Sequence, residues 1–186
     1  MFIPYTYEDD FTSDTLSSYT WTYTSASSSY DATNDWIEIR TGDNYNATAE
    51  WDINNIPEGH AEIIYTKHAD YPTDNNTYLA LMEDADNCYY FDFRGSGYGT
   101  NRVRKFIGGS EVDSDTGPTS TDSNSEHTFK MWWSPTRLTF VHNGTIETDL
   151  LTSDTTQLDV SSAKLRVSQS DIDWKLIYIT EDQPPI

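Results

Sequence analysis

Tyr78-Leu79-Ala80-Leu81-Met82-Glu83-Asp84-Ala85-Asp86-Asn87-Cys88-Tyr89-Tyr90-Phe91-Asp92-Phe93-Arg94 decides how this chain folds. Two apolar and aromatic runs flank a polar cluster, Glu83 to Asn87. That pattern spells two strands joined by a hairpin. Successive side chains on a strand point to opposite faces. Tyr89, Phe91 and Phe93 therefore share one face, and Cys88, Tyr90, Asp92 and Arg94 the other. The first set is core. The second is mixed, as on a sheet face that meets solvent or a ligand.

The same alternation repeats on either side. It predicts strands at Tyr19–Thr24, Trp36–Arg40, Ala47–Ile53, Glu62–Lys67 and Tyr78–Glu83, then at Cys88–Arg94, Arg102–Ile107 and His127–Trp133. Arg137–His142, Lys164–Ser168 and Trp174–Thr180 complete the series. Thr, Tyr, Val, Ile and Trp fill these runs, as strand propensity expects. Phe129, Met131 and Trp133 read as core, with Thr128, Lys130 and Trp132 opposite; Leu138, Phe140, Leu165 and Val167 add to the buried set. Trp174–Ile179 is apolar on both faces and predicts a central strand. Ser134-Pro135 and Asn143-Gly144 mark tight turns. The Ser/Thr/Asp-rich segment Asp113–Glu126 predicts a long surface loop. No window shows helical periodicity. The expected fold is all-β: a two-sheet antiparallel β-sandwich, a single domain over residues 1–186.

Composition sets outer limits. The chain has 186 residues, with 31 Asp and Glu against 11 Lys and Arg, a net charge of −20. Such a surface excludes nucleic acid or anionic membrane as partners through a broad basic face. No apolar run approaches the ~18 residues of a membrane span, so no membrane insertion is expected. Six Trp, 13 Tyr and 7 Phe are too many for a disordered acidic tail. One cysteine, Cys88, leaves no intramolecular disulfide. Molar salt shortens the Debye length to about 3 Å and relieves carboxylate repulsion, so the acid excess predicts a high-salt habitat. Residues 1–90 hold 17 acids and only Arg40 and Lys67 as bases, whereas Arg94, Arg102, Arg104 and Lys105 crowd one short stretch. That stretch either receives an anionic ligand or neighbour, or pairs with the chain's own carboxylates; the second reading is favoured. The opening Met1-Phe2-Ile3-Pro4-Tyr5-Thr6-Tyr7-Glu8-Asp9-Asp10-Phe11 lacks the features of a secretory signal. The expectation is a cytoplasmic or extracellular protein of a salt-loving organism, or a component of a virus particle.

The strand pattern resembles the concanavalin A-like lectin/glucanase superfamily, including laminin G-like modules. The likeness is carried by Asp9-Asp10-Phe11 before a Trp strand, the Tyr78–Arg94 pair, and Thr128-Phe129-Lys130-Met131-Trp132-Trp133. Leu138-Thr139-Phe140-Val141-His142-Asn143-Gly144 and the closing Ile172-Asp173-Trp174-Lys175-Leu176-Ile177-Tyr178-Ile179 extend it. The resemblance implies a jelly-roll of two sheets, one concave, whose last strand pairs near the first. It implies glycan binding, glycan cleavage or a structural role without choosing among them.

The family's glucanases carry Glu-x-Asp-x-x-Glu. A retaining glycosidase needs two carboxylates about 5–5.5 Å apart. Glu50-Trp51-Asp52-Ile53-Asn54-Asn55 and Glu111-Val112-Asp113-Ser114-Asp115 match that motif in part, and both lack the last Glu. An amide is no acid/base, so the chain reads as a non-enzyme. Cys88 reads as a small buried hydrophobe rather than a nucleophile. Asp84 and Asp86 in the hairpin form a weak oxygen site for calcium or magnesium; no other cofactor is expected. The four His residues are dispersed and do not suggest zinc. Sugar rings stack on aromatics while polar groups fix their hydroxyls, which makes Tyr90, Asp92, Arg94, Tyr98, Arg104 and Trp132 the glycan-binding candidates. The expected role is a non-catalytic surface protein of a halophilic virus particle, homo-oligomeric, with other virion proteins and host surface glycans as partners. The rival is a glycoside hydrolase or lyase of the same fold.

Overall fold

The computed structural model describes residues 6–24, 26–41, 46–70, 76–95, 99–122 and 124–181. Among them are fifteen strands and one turn of 3-10 helix, Leu16–Ser18, joined by turns and loops. In chain order the first strands are β1 (Thr6–Asp9), β2 (Thr20–Thr24), β3 (Ser27–Asp31), β4 (Trp36–Arg40) and β5 (Asn46–Ile56). Next come β6 (Gly59–Asp70), β7 (Asn76–Met82), β8 (Cys88–Arg94), β9 (Arg102–Ile107) and β10 (Ser110–Thr116). The last are β11 (Ser125–Ser134), β12 (Arg137–His142), β13 (Thr145–Leu151), β14 (Val160–Ser168) and β15 (Ser170–Thr180).

They form two antiparallel sheets. One runs β13-β12-β11-β6-β15-β4-β3; the other runs β10-β9-β8-β7-β14-β5-β2. β15 is central, as its two apolar faces predict: β6 lines one side, while β4 and β1 pair with the first and second halves of the other. The last strand thus pairs directly with the first, Thr180 opposite Thr6.

The inward faces meet in one core. Leu79, Leu81, Tyr89, Phe91, Phe93, Phe129, Met131, Trp133, Leu138, Phe140, Leu165 and Val167 are all buried, as alternation assigns them. At one end Phe11, Tyr19, Trp51 and Trp174 pack ring against ring, with centroids 4.9 Å apart for Phe11–Trp174 and 5.3 Å for Tyr19–Trp51. Phe11 holds a positive φ of 55°, a costly conformation for a bulky residue. Asp9 fixes it there: its carboxylate accepts the Phe11 N–H at 3.0 Å and the Tyr19 hydroxyl at 2.7 Å.

The turns follow their residues. Asn143 and Gly144 both have positive φ, 48° and 79°, the type I′ geometry that Asn-Gly favours. The long loop expected at Asp113–Glu126 is shorter. Asp113–Thr116 continue β10, and Ser125 and Glu126 already belong to β11. Ser, Thr and Asp there line an edge strand, where polar side chains are tolerated on both faces.

Two buried lysines tie loops to the sandwich. Lys105, fully buried, donates to the carbonyls of Asp154 (2.6 Å), Thr156 (2.9 Å) and Pro135 (3.3 Å). Burial holds its pKa below the ordinary lysine value. Lys67 donates to the Thr121 hydroxyl at 3.2 Å.

Candidate functional site

The Cys88, Tyr90, Asp92 and Arg94 face of β8 looks outward from the second sheet, and register extends it sideways. Tyr90 stands opposite Arg104 of β9 and Ala80 of β7. Asp92 stands opposite Arg102 and Tyr78, and Tyr78 opposite Arg166 of β14. Four adjacent strands thus bring together side chains from positions 78 to 166.

They enclose a depression of about 330 Å³. Tyr78, Tyr90 and Phe106 form its aromatic wall, with Arg104 and Arg166 beside them; Cys88 lines it from β8 and Ala85, Asp86 and Gly109 from two turns. Tyr78 meets Tyr90 edge-on at 4.9 Å, and Tyr90 meets Phe106 edge-on at 5.3 Å. The Arg104 guanidinium lies 4.8 Å from the Tyr90 centroid and 5.4 Å from that of Phe106. Beneath the rings Ala80, Met82 and Cys88 form a second apolar cluster. Burial pushes the Cys88 thiol up to about 11, so it behaves as the hydrophobe its sequence context predicts.

Arg104 is anchored by Asp92, whose side chain is fully buried, through a 2.8 Å bond from Nη2 to Oδ1. Asp92 Oδ2 and Arg104 Nε are buried and have no hydrogen-bond partner among the described residues. Most of the basic stretch is matched to the chain's own groups, as the favoured reading expects. Arg102 pairs with Glu111 at 2.5 Å and Arg104 with Asp92, while Lys105 turns inward.

The predicted glycan residues separate. Tyr90, Asp92 and Arg104 come together. Arg94 shares their face at the far end of β8, outside the depression, and Tyr98 lies outside the described residues. Trp132 is a correction: it sits on β11, in the opposite sheet, stacked on His60 with centroids 6.1 Å apart. Alternation tells that a residue faces outward, not from which sheet. Tyr78, Phe106 and Arg166 were absent from the sequence-derived set. Their outward direction was readable, since each alternates with buried residues, but the adjacency of β14 to β7 was not.

Of the two hairpin aspartates, Asp84 serves the turn and Asp86 lines the depression. The Asp84 carboxylate accepts the N–H groups of Asp86 (2.8 Å) and Asn87 (2.9 Å) and the Asn87 side-chain amide. These bonds hold its pKa below the usual carboxylate range. Among the described residues no three His, Cys, Asp or Glu side chains gather as metal ligands.

The two partial glucanase motifs also resolve. Glu50 and Asp52 share the outward face of β5 with Trp51 buried between them, and Glu50 pairs with Lys164 at 2.9 Å. In β10 a bulge between Glu111 and Asp113 breaks the alternation. Glu111 pairs outward with Arg102; Asp113 turns in to accept the Ser153 N–H at 2.9 Å and hydroxyl at 2.7 Å.

A separate polar network ties the segment 117–122 to the first sheet. His127 and His142, 15 residues apart, meet at 2.9 Å from Nδ1 to Nε2. His127 Nε2 faces the Asp122 carbonyl at 2.8 Å and so must carry hydrogen. Its Nδ1 then accepts from His142 Nε2, leaving His142 Nδ1 to accept from the Asn101 amide at 3.3 Å. Thr119 donates its hydroxyl to Glu147.

No protein-family model and no curated protein matches the sequence. Solved structures match the fold. The apo Crh5 transglycosylase is similar over 96% of this chain and 85% of its own, with a TM-score of 0.66 at 16% identity. The exoplasmic/lumenal domain of VIP36, in its Ca2+/Man2-bound form, is similar over 97% of this chain and 89% of its own, with 0.66 at 8% identity. A Bacillus subtilis protein of unknown function with a galectin-like fold reaches 0.67 at 10% identity, over 94% of each chain. The chain has a lectin-like β-sandwich fold.

Proposed function

We propose that this chain is a non-catalytic glycan-binding sandwich and that the depression on the outer face of the second sheet holds the sugar. The observation that carries the reading is the aromatic wall of Tyr78, Tyr90 and Phe106 with two guanidiniums in one concave site of about 330 Å³. Its size lies at the lower end of small-molecule sites. Rings offer apolar faces to sugar C–H groups, and guanidinium N–H groups donate to hydroxyls. The mannose-bound VIP36 structure and the Crh5 transglycosylase show that proteins of this fold include sugar binders and sugar-processing enzymes. The absence of catalysis is supported by Glu50 being paired with Lys164, and by Asn55 where the last Glu of the glucanase motif would stand.

Glycan-array binding of the purified protein tests this. Saturable binding that weakens about tenfold or more in Tyr78→Ala and Tyr90→Ala supports it. No binding by the folded protein overturns it. Release of new reducing ends from a bound polysaccharide, abolished by Glu50→Gln, would overturn the non-catalytic half. The setting in a halophilic virus particle and the homo-oligomer rest on the acid excess and on the habit of small sandwiches to assemble. Recovery of the protein from purified particles, and its sedimentation mass, test each.

A further inference from the structure

Five of the chain's 11 bases project from one face of one sheet: Arg94, Arg102, Arg104, Lys164 and Arg166. Three of them are neutralised by carboxylates within 3 Å: Arg102 by Glu111, Arg104 by Asp92 and Lys164 by Glu50. Arg166 is different. Its Nη2 donates to the neutral Asn46 Oδ1 at 3.0 Å, and its guanidinium lies 5.8 Å from the Tyr78 ring. No carboxylate of the described residues forms an ion pair with it, in a chain carrying 31 of them. It lines the depression together with the aromatic wall, opposite Tyr78, while the one carboxylate among the described lining residues, Asp86, comes from the β7–β8 hairpin at the other end of β7.

A guanidinium has five N–H donors in a planar fork that matches a carboxylate or sulfate through two parallel bonds. The Asn46 amide occupies one donor and leaves the fork its charge. Rings for a sugar face and an uncommitted fork in one small site define a ligand with both parts. We infer that the site takes an anionic saccharide, one bearing a carboxylate or sulfate, and that Arg166 reads its charge. This inference rests on the glycan-binding reading above and adds the ligand class. Arg104, balanced by Asp92, supplies ring support and hydroxyl donors rather than net charge.

The test is an immobilised panel of oligosaccharides carrying uronic acid, sialic acid or sulfate, each beside its methyl-esterified or desulfated counterpart, at about 0.15 M salt. The expected result is that at least one acidic member binds about tenfold or more tighter than its neutral counterpart. Arg166→Gln is then expected to remove that preference, weakening the acidic member about tenfold more than its neutral counterpart, while Tyr78→Ala weakens both alike. Asn46→Asp is the second variant. It sets a carboxylate against Arg166 without removing it, and is expected to abolish the preference with thermal stability retained. Equal binding of acidic and neutral members, or an acidic preference that survives both variants, overturns the inference and leaves the glycan reading standing. Failure of every member to bind the folded protein removes both. Which acidic group is preferred separates uronate or sialate from sulfate.

Discussion

Asp92 shows what a single side chain carries in this fold. It is fully buried on an outward sheet face, and among the described residues the Arg104 guanidinium is its one ion-pair partner. Removing one partner of such a pair leaves the other uncompensated, at about 3–5 kcal/mol. Asp92→Ala is therefore expected to lower unfolding free energy by about 3 kcal/mol in urea titrations, with the aromatic wall loosened. A loss under about 1 kcal/mol would mean that water already reaches the pair. His142 sets a pH dependence. Burial, then the neighbouring His127, lowers its pKa below the ordinary histidine value, while Glu147 pulls the other way. The groups that touch it are His127, Glu147, Thr119 and Asn101, and the Asp122 carboxylate acts on it through its charge. The unfolded histidine takes up a proton near pH 6.5, before the folded one does. Stability from this site is thus full above about pH 6.5 and is lost as pH falls towards the folded value. Melting temperature is expected to drop between pH 7 and 5.5, with a shallower slope in His142→Gln. At this scale the sequence revealed the direction of Tyr90, Asp92 and Arg104, because they alternate with Tyr89, Phe91 and Val103. It did not reveal His127 against His142, because that meeting depends on the register of β11 and β12.

Strands were legible in proportion to their neighbours. Each of the 11 predicted strands exists, and Trp36–Arg40, Cys88–Arg94, Arg102–Ile107 and Arg137–His142 have the predicted ends. The four left unread, β1, β3, β10 and β13, each pair on one side only. An edge strand buries fewer side chains, so Ser27–Asp31 and Ser110–Thr116 carry little alternation to read. The same polar edges guard the sheets against pairing with other chains. Two glycines separate local from packed constraint. Gly144 holds a φ of 79° with open space around it, so Gly144→Ala is expected to cost about 1 kcal/mol, from the backbone alone. At Gly59 a Cβ would strike the Thr180 carbonyl at the β6–β15 pairing, with the Trp133 and Ile56 side chains close behind. Gly59→Ala is expected to cost at least twice as much as Gly144→Ala in urea titrations. Equal costs would show that β15 yields easily there.

Over the whole molecule, charge and connectivity set the remaining behaviour. With a net charge of −20 the folded chain repels itself at low ionic strength. Melting temperature is expected to rise steadily from about 0.05 M to 1 M NaCl, as the Debye length shrinks from over 10 Å to about 3 Å. A flat response would remove the argument for a high-salt habitat. Which strands neighbour which was beyond reach, since β14 enters between β5 and β7 after a path of about 80 residues. The pairing of β1 with β15 has a mechanical consequence. Thr6 and Thr180 are opposite partners, and the pairs run inward from there to Asp9 and Ile177. A force pulling residues 6 and 180 apart meets this ladder at its open end, so its hydrogen bonds are loaded one after another. β1 peels away at low tension, as a zip opens, and resistance begins at Phe11, where the ring locked against Trp174 carries the load.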